Sequence, residues 1–236
     1  MIINGIQKLT LLDYPGHVAA TVFFAGCNFR CPFCHNAGLV TGAPEAVMTE
    51  DEFFAFLIRR RGILDGVTIT GGEPTLSPEL FGFCERIKGE GFAVKLDTNG
   101  TRREVIERLV SAGLLDYIAM DIKNSPEKYP LTAGFEDSGK LDVDEIFRTA
   151  DYIMEAGRLG KLEYEFRTTA VREFHTEGDF ARIGELISGA DAYYIQRFED
   201  SGALIRGGLH GFSDEEMRGL AAAAQPYVKN TRLRGV

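Results

Sequence analysis

Hydrophobic and polar positions along the chain alternate between two periods. Residues 18–25, VAATVFFA, form a continuous apolar run and predict a buried strand. Residues 49–61, TEDEFFAFLIRRR, follow with helical spacing, and Thr49 with Glu52 three residues on is the pattern of a capping box. The same rhythm continues along the chain. Strands are predicted at 66–70, 92–97, 115–123, 161–171 and 192–198. Helices are predicted from Ser77 as N-cap and Pro78 as first residue to about Gly89, and at 103–113, 143–157, 179–188 and 213–224. Residues 124–140 are rich in Ser, Pro and Gly and predict a long loop.

Six strand–helix units in alternation imply a parallel α/β sheet with right-handed crossovers. A closed (β/α)₈ barrel takes eight units in about 250 residues. Six units in 236 residues leave two options, a barrel open on one side or a doubly wound open sheet. Either places chemistry at the C-terminal ends of the strands. The organisation expected is one domain over 1–236, with a core of about 17–206 and a closing helix and tail at 213–236.

Composition narrows the function. Thirty-five acidic against 26 basic residues give a net charge of −9. That argues against nucleic acid or an anionic membrane as partner, because both reward clustered positive charge. No segment approaches the ~20 apolar residues of a membrane span, and the opening MIINGIQKLTLLDYPG lacks a signal-peptide pattern. A cytoplasmic location is expected. There the reducing environment and the close spacing of three of the four cysteines both disfavour disulfides.

Those three, Cys27, Cys31 and Cys34, stand as C-x3-C-x2-C in FFAGCNFRCPFCHN, just after the first strand. Three thiolates on one loop suit three irons of a cubane cluster, which ordinarily takes four cysteines. Cys84 lies among apolar neighbours in LFGFCERI and reads as a packing thiol. The alternative is a Cys3His zinc knuckle completed by His35, although zinc ligands usually come as two separated pairs. More candidates fall at successive strand ends: Gly71, Gly72, Glu73 and Pro74; then Asp97, Thr98 and Asn99; then Asp121 and Lys123. Gly-Gly and Asn-Gly are also ordinary turn dipeptides, and Asp121 with Lys123 also reads as a rim ion pair. The 161–171 strand puts Glu163, Glu165, Arg167 and Thr169 on one face, which suggests either a ligand-filled lumen or an edge strand with one solvated face. His17, His175 and His210 read as ordinary surface or capping residues.

The cysteine motif, GGEP, DTNG and the opening GIQKLTLLDYPGHVAATVFFAGC resemble the radical S-adenosylmethionine superfamily, and within it the activases of glycyl radical enzymes. The likeness is greatest to activating proteins of anaerobic ribonucleoside-triphosphate reductase, with pyruvate formate-lyase activases second. The resemblance implies a partial (β/α)6 TIM-type barrel of the radical SAM type. It implies an oxidoreductase in which Cys27, Cys31 and Cys34 hold a [4Fe–4S] cluster and S-adenosyl-L-methionine (SAM) chelates the open iron. Reductive cleavage then yields methionine and a 5′-deoxyadenosyl radical that takes a hydrogen atom from a partner's glycine. The GGEP residues would contact the methionine moiety, Glu73 facing its ammonium. Asp97, Thr98 and Asp121 would serve SAM and a monovalent cation, with Asn99 beside them. Lys123 would reach a SAM carboxylate or ribose, and Arg167 would contact SAM. His35 and Asn36 would meet the adenine or the partner loop, while Phe29, Arg30, Pro32 and Phe33 would shield the centre from water. A flavodoxin or ferredoxin would supply the electron. Gln196, Arg197 and Phe198 stand where pyruvate formate-lyase activases carry a histidine, which leans towards the reductase-type activases. A radical SAM enzyme acting on a small molecule and a non-enzymatic metal-binding module are the other classes.

Overall fold

The computed structural model describes residues 2–135 and 140–236. Strands β1 (Ile2–Ile3) and β2 (Gly5–Thr10) open the chain and precede the first predicted strand, β3 (Ala19–Phe24). A short helix α1 (Ala37–Thr41) and strand β4 (Met48–Thr49) lead to α2 (Glu50–Ile58), whose capping box forms as expected at Thr49 and Glu52. There follow β5 (Gly66–Gly71), α3 (Leu80–Gly89), β6 (Ala93–Thr98), α4 (Arg103–Ser111), β7 (Tyr117–Asp121) and the single-turn α5 (Tyr129–Thr132). The chain continues through α6 (Val143–Arg158), β8 (Glu163–Ala170), α7 (Glu177–Leu186), β9 (Tyr193–Arg197), α8 (Asp214–Ala224) and β10 (Thr231–Arg234).

The main sheet has eight strands in the order β10-β9-β8-β7-β6-β5-β3-β2. From β3 to β10 every neighbour is parallel, and β2 alone runs antiparallel. The order never reverses. With right-handed crossovers that puts all connecting helices on one face, and a doubly wound sheet is excluded because its order must turn back on itself. The other face is the concave inside of an open barrel.

Alternation along each strand separates the two faces. Val22, Val67, Ile69, Val94, Leu96, Ile118, Met120, Phe166 and Ile195 point to the helices and form the apolar core with Phe53, Phe83 and Ile183. Cys84 belongs to this core and is fully buried, so it is a packing thiol. The base of the concave side is filled by Tyr14, Ala19, Tyr117 and Ala119.

Several boundaries differ from the sequence expectation. α3 starts at Leu80, not Pro78, because Pro74–Leu76 first make a 3₁₀ turn and the Ser77 hydroxyl accepts from the Glu79 N–H. α7 starts at Glu177, capped by Thr176 with Asp179 as its box partner. The 124–140 segment contains α5 and is not wholly irregular; residues 136–139 of that expected loop lie outside the described residues. β8 lies between β7 and β9, so its polar face belongs to the lumen and the edge-strand reading is ruled out. The tail forms β10, a strand without an apolar run to announce it.

Candidate functional site

The loop after β3 and the C-terminal ends of β5, β6, β7, β8 and β9 converge on a cavity of about 240 Å³. Its wall includes Cys27, Cys31 and Cys34, then His35 and Asn36, Gly71 and Gly72, Asp97, Thr98 and Asn99, Asp121 and Lys123, and Arg167. All these candidates from the sequence meet in one place. Phe29, Phe33, Thr70, Thr169 and Gln196 line the same space.

The cysteine loop is braced from several sides. The Arg30 N–H donates to the Ala133 carbonyl (2.9 Å) and the Arg206 N–H to the Pro32 carbonyl (2.9 Å). The Arg30 guanidinium turns back to the carbonyls of Cys27 (2.6 Å) and Phe29 (2.8 Å), so this side chain supports the loop. Phe29 packs edge-on against Tyr129 and Phe135, and Phe33 lies beside Phe174. The Gly26–Gly72 contact is the tightest. A Cβ at Gly72 would stand 1.9 Å from the Gly26 carbonyl oxygen, and the Glu73 N–H donates to that same oxygen at 2.8 Å. Glycine is required here first for the approach of one loop to another.

Glu73, Pro74, Arg30 and Pro32 are sequence candidates that do not line the cavity. Glu73 is buried, and its carboxylate accepts from the hydroxyls of Thr75 and Thr98 (2.9 Å to Thr98), the Thr75 N–H (3.1 Å) and the Asn99 N–H (2.6 Å). The expectation that Glu73 faces a ligand ammonium is therefore corrected: its acceptor capacity ties the loop after β5 to the loop after β6. Burial nonetheless keeps its pKa raised against the pull of those donors. Pro74 begins the 3₁₀ turn. Asn99 passes the connection onward, its amide donating to Asn28 Oδ1 at 2.8 Å, and Asn28 donates to Thr101 Oγ1 at 2.8 Å. Asn36 donates to the Gly71 carbonyl at 2.9 Å. His35 is exposed at the rim beside Phe198.

The floor of the cavity is a chain of alternating charges. Lys95, almost fully buried, pairs with Asp97. Arg167 bridges Asp97 (3.3 Å) and Asp121 (2.9 Å), and Lys123 holds the other oxygen of Asp121 at 3.0 Å. Burial works against ionising Asp121, but Arg167 and Lys123 outweigh it and hold the carboxyl well below its usual range; Asp97 is lowered likewise by Arg167 and Lys95. Burial would discharge Lys123 and Arg167, yet their carboxylate partners keep both firmly protonated. Lys95 is lowered because burial outweighs Asp97. Asp97 and Asp121, expected to serve SAM and a monovalent cation, pair in this structure with Lys95, Arg167 and Lys123.

His175, expected to be a surface or capping residue, is buried. Its Nε2 bonds the Lys123 carbonyl (2.8 Å) and its Nδ1 accepts from the Val171 N–H (3.2 Å), fixing the end of β7. Sequence reasoning also passed over Lys95, although its position two residues before Asp97 put it on the same strand face.

The thiols suit an iron–sulfur cluster. Burial pushes Cys31 up to about 12 and raises Cys27, while Lys123 draws both downwards. Such thiols become thiolates when a metal takes the place of the proton. Three donors on one wall, with Cys84 across the sheet, would leave one iron of a cubane without a protein thiolate.

The Radical SAM superfamily profile matches residues 21–187, and the chain belongs to that superfamily, whose members use a [4Fe–4S] cluster and SAM. A Methanocaldococcus jannaschii protein assigned as a glycyl-radical enzyme activating enzyme is 32% identical over 240 residues, covering 100% of this chain and 96% of its own length. The pyruvate formate-lyase-activating enzyme of Clostridium pasteurianum is 31% identical over 157 residues, 64% of this chain and 63% of that protein. Among solved structures, a radical SAM methyltransferase from Sphaerobacter thermophilus superposes with a TM-score of 0.73 at 17% identity, over 96% of this chain and 68% of the other. SuiB of Streptococcus suis bound to S-adenosylmethionine gives 0.68 at 14% identity, over 91% of this chain and 52% of the other. These two share the fold. No helix among the described residues is long and apolar enough to cross a membrane.

Proposed function

We propose that this protein activates a glycyl radical enzyme, and that the enzyme is an anaerobic ribonucleoside-triphosphate reductase. The end-to-end likeness to the M. jannaschii protein carries the activase reading. When bound, the cluster and SAM supply one-electron cleavage of the sulfonium and, through it, hydrogen-atom abstraction from a glycine Cα. Cys27, Cys31 and Cys34 would hold the cluster, and with no fourth cysteine beside them an iron would be left open to SAM. Lys123, fixed by Asp121, would present its ammonium to the carboxylate or ribose of SAM, and Arg167 would contact SAM beside it. Gly71, Gly72, Thr98 and Asn99 shape the wall, and His35 and Asn36 face the adenine or the incoming loop. Phe29 and Phe33 exclude water from the centre. Asp97, Thr98 and Asp121 would serve SAM and a monovalent cation beside it. A flavodoxin or ferredoxin is the expected donor.

Gln196, Arg197 and Phe198 at the end of β9 favour the reductase over pyruvate formate-lyase as target. A pyruvate formate-lyase target is the second reading, favoured by the likeness to the C. pasteurianum enzyme. Anaerobic reconstitution, reduction with dithionite and addition of SAM should give 5′-deoxyadenosine. Adding each candidate partner and looking for a glycyl-radical doublet by electron paramagnetic resonance then separates the targets. A doublet on pyruvate formate-lyase alone would replace the first reading by the second, and no doublet on any glycyl radical enzyme would remove both. Cys31→Ala should lose cluster and cleavage together.

A further inference from the structure

Beneath the cavity lies a second polar layer that the proposed chemistry does not use. Glu165 of β8 is 1% exposed, and Arg234 of β10 grips it with two parallel bonds, Nη1 to Oε1 at 2.9 Å and Nη2 to Oε2 at 2.8 Å. The Tyr117 hydroxyl adds a third donor at 3.0 Å. Arg234 pairs in register with Gln196, which lines the cavity, so both side chains share the concave face. Its guanidinium lies 3.5 Å from the centroid of the Tyr194 ring, which fixes its plane.

Glu165 stands two residues before Arg167 on the same face of β8, and its charge acts on both Arg167 and Lys95. A buried carboxylate demands a cation. If Arg234 did not supply one, Glu165 would draw on Arg167 and Lys95, which its charge already reaches and which hold Asp97 and Asp121 in place.

We propose that Arg234 is a positioning residue for the cavity: by occupying Glu165, it leaves Arg167 to bridge Asp97 and Asp121, and so keeps Lys123 and Asp121 set towards the cysteine wall. The influence passes through four strands, from β10 to β8 and then to β7 and β6. The part that concerns SAM rests on the function proposed above. The part that concerns the position of Arg167 does not.

The test uses the cluster-loaded protein. In crystals of Arg234→Gln, the Arg167 guanidinium should have left Asp121 for Glu165. SAM affinity, measured by equilibrium dialysis without reductant, should fall roughly tenfold. The double variant Glu165→Gln/Arg234→Gln, which removes both charges, should restore the Arg167 bridge and most of the affinity. Should Arg234→Gln not fold, Arg234→Lys keeps the charge, lacks the two-pronged grip and is read in the same way with a smaller shift. Arg167 still on Asp121 in the single variant overturns the proposal, as does a lowered melting temperature with unchanged SAM affinity. If the wild-type protein binds no SAM, the functional reading fails, and the position of Arg167 in the variant crystals still decides the proposal.

Discussion

The two faces of the sheet are built on opposite principles, and β8 shows both within eight residues. Tyr164, Phe166 and Ala170 face the helices in a dry apolar core, while Glu165 and Arg167 face the lumen as charged groups with partners on β6, β7 and β10. A closed barrel of this type fills its inside with branched apolar side chains. Here the inside is wide and open, and ion pairs occupy it. Burying charge is tolerable only when every charge is paired and hydrogen-bonded. The lumen satisfies that by alternation, from Lys95 through Asp97, Arg167 and Asp121 to Lys123. The apolar packing is therefore on one face and the cavity on the other, so a change on the outer face should leave the cavity's ion pairs intact.

Phe166→Ala on the outer face tests that separation most severely. It should cost about 3–5 kcal/mol of stability in denaturant unfolding while leaving SAM affinity within about twofold. A large loss of affinity in a folded Phe166→Ala protein would break the division. Arg167→Gln on the inner face should cost about 3 kcal/mol at neutral pH and also abolish SAM binding, because two carboxylates lose their shared cation. The pH dependence has a definite sign. Asp97 and Asp121 have depressed pKa values, so their stabilisation is present above pH about 4 and disappears as the pH falls through the lowered values. The gap between wild type and Arg167→Gln should narrow as the pH falls below about 4. A gap constant down to low pH would mean that the bridge has no electrostatic role.

His175 sharpens the boundary between the faces. Burial holds its pKa below the ordinary value, so the unfolded chain takes up a proton near pH about 6.5 that the native protein refuses. Stability should be full above that pH and decline beneath it. His175→Gln should cost about 1 kcal/mol at neutral pH and flatten this slope. The smallest effect is expected from Lys88→Ala, which removes a half-exposed pair with Asp116 (2.7 Å): about 0.5 kcal/mol in the same unfolding measurement, with SAM binding unchanged.

Much of this was legible in the chain, for reasons that can be named. The parallel strands from β3 to β9 are marked by runs such as VAATVFFA and GVTIT, whose apolar character follows from burial within the sheet. The cysteine spacing and the strand-end dipeptides located the cavity, because chemistry in such folds gathers at one end of the sheet. Three things were hidden. β10 reads TRLR, an edge strand whose Arg232 and Arg234 face the concave side, so nothing apolar announces it. Glu73 has the chemistry of a ligand contact, and only the fold shows its carboxylate spent on Thr75, Thr98 and Asn99. His175 has no local pattern that separates a buried bracing ring from a surface one. In each case the deciding partner is distant in sequence.

The close seating of Gly72 against Gly26, together with the Arg30–Ala133 and Pro32–Arg206 bonds, has a bearing on maintenance. The thiol-bearing segment is pinned to the scaffold by main-chain contacts that involve no iron. Chelating the metal should thus strip the centre and leave its mould standing. A molecule that has lost its cluster to oxygen should then accept iron and sulfide again without refolding.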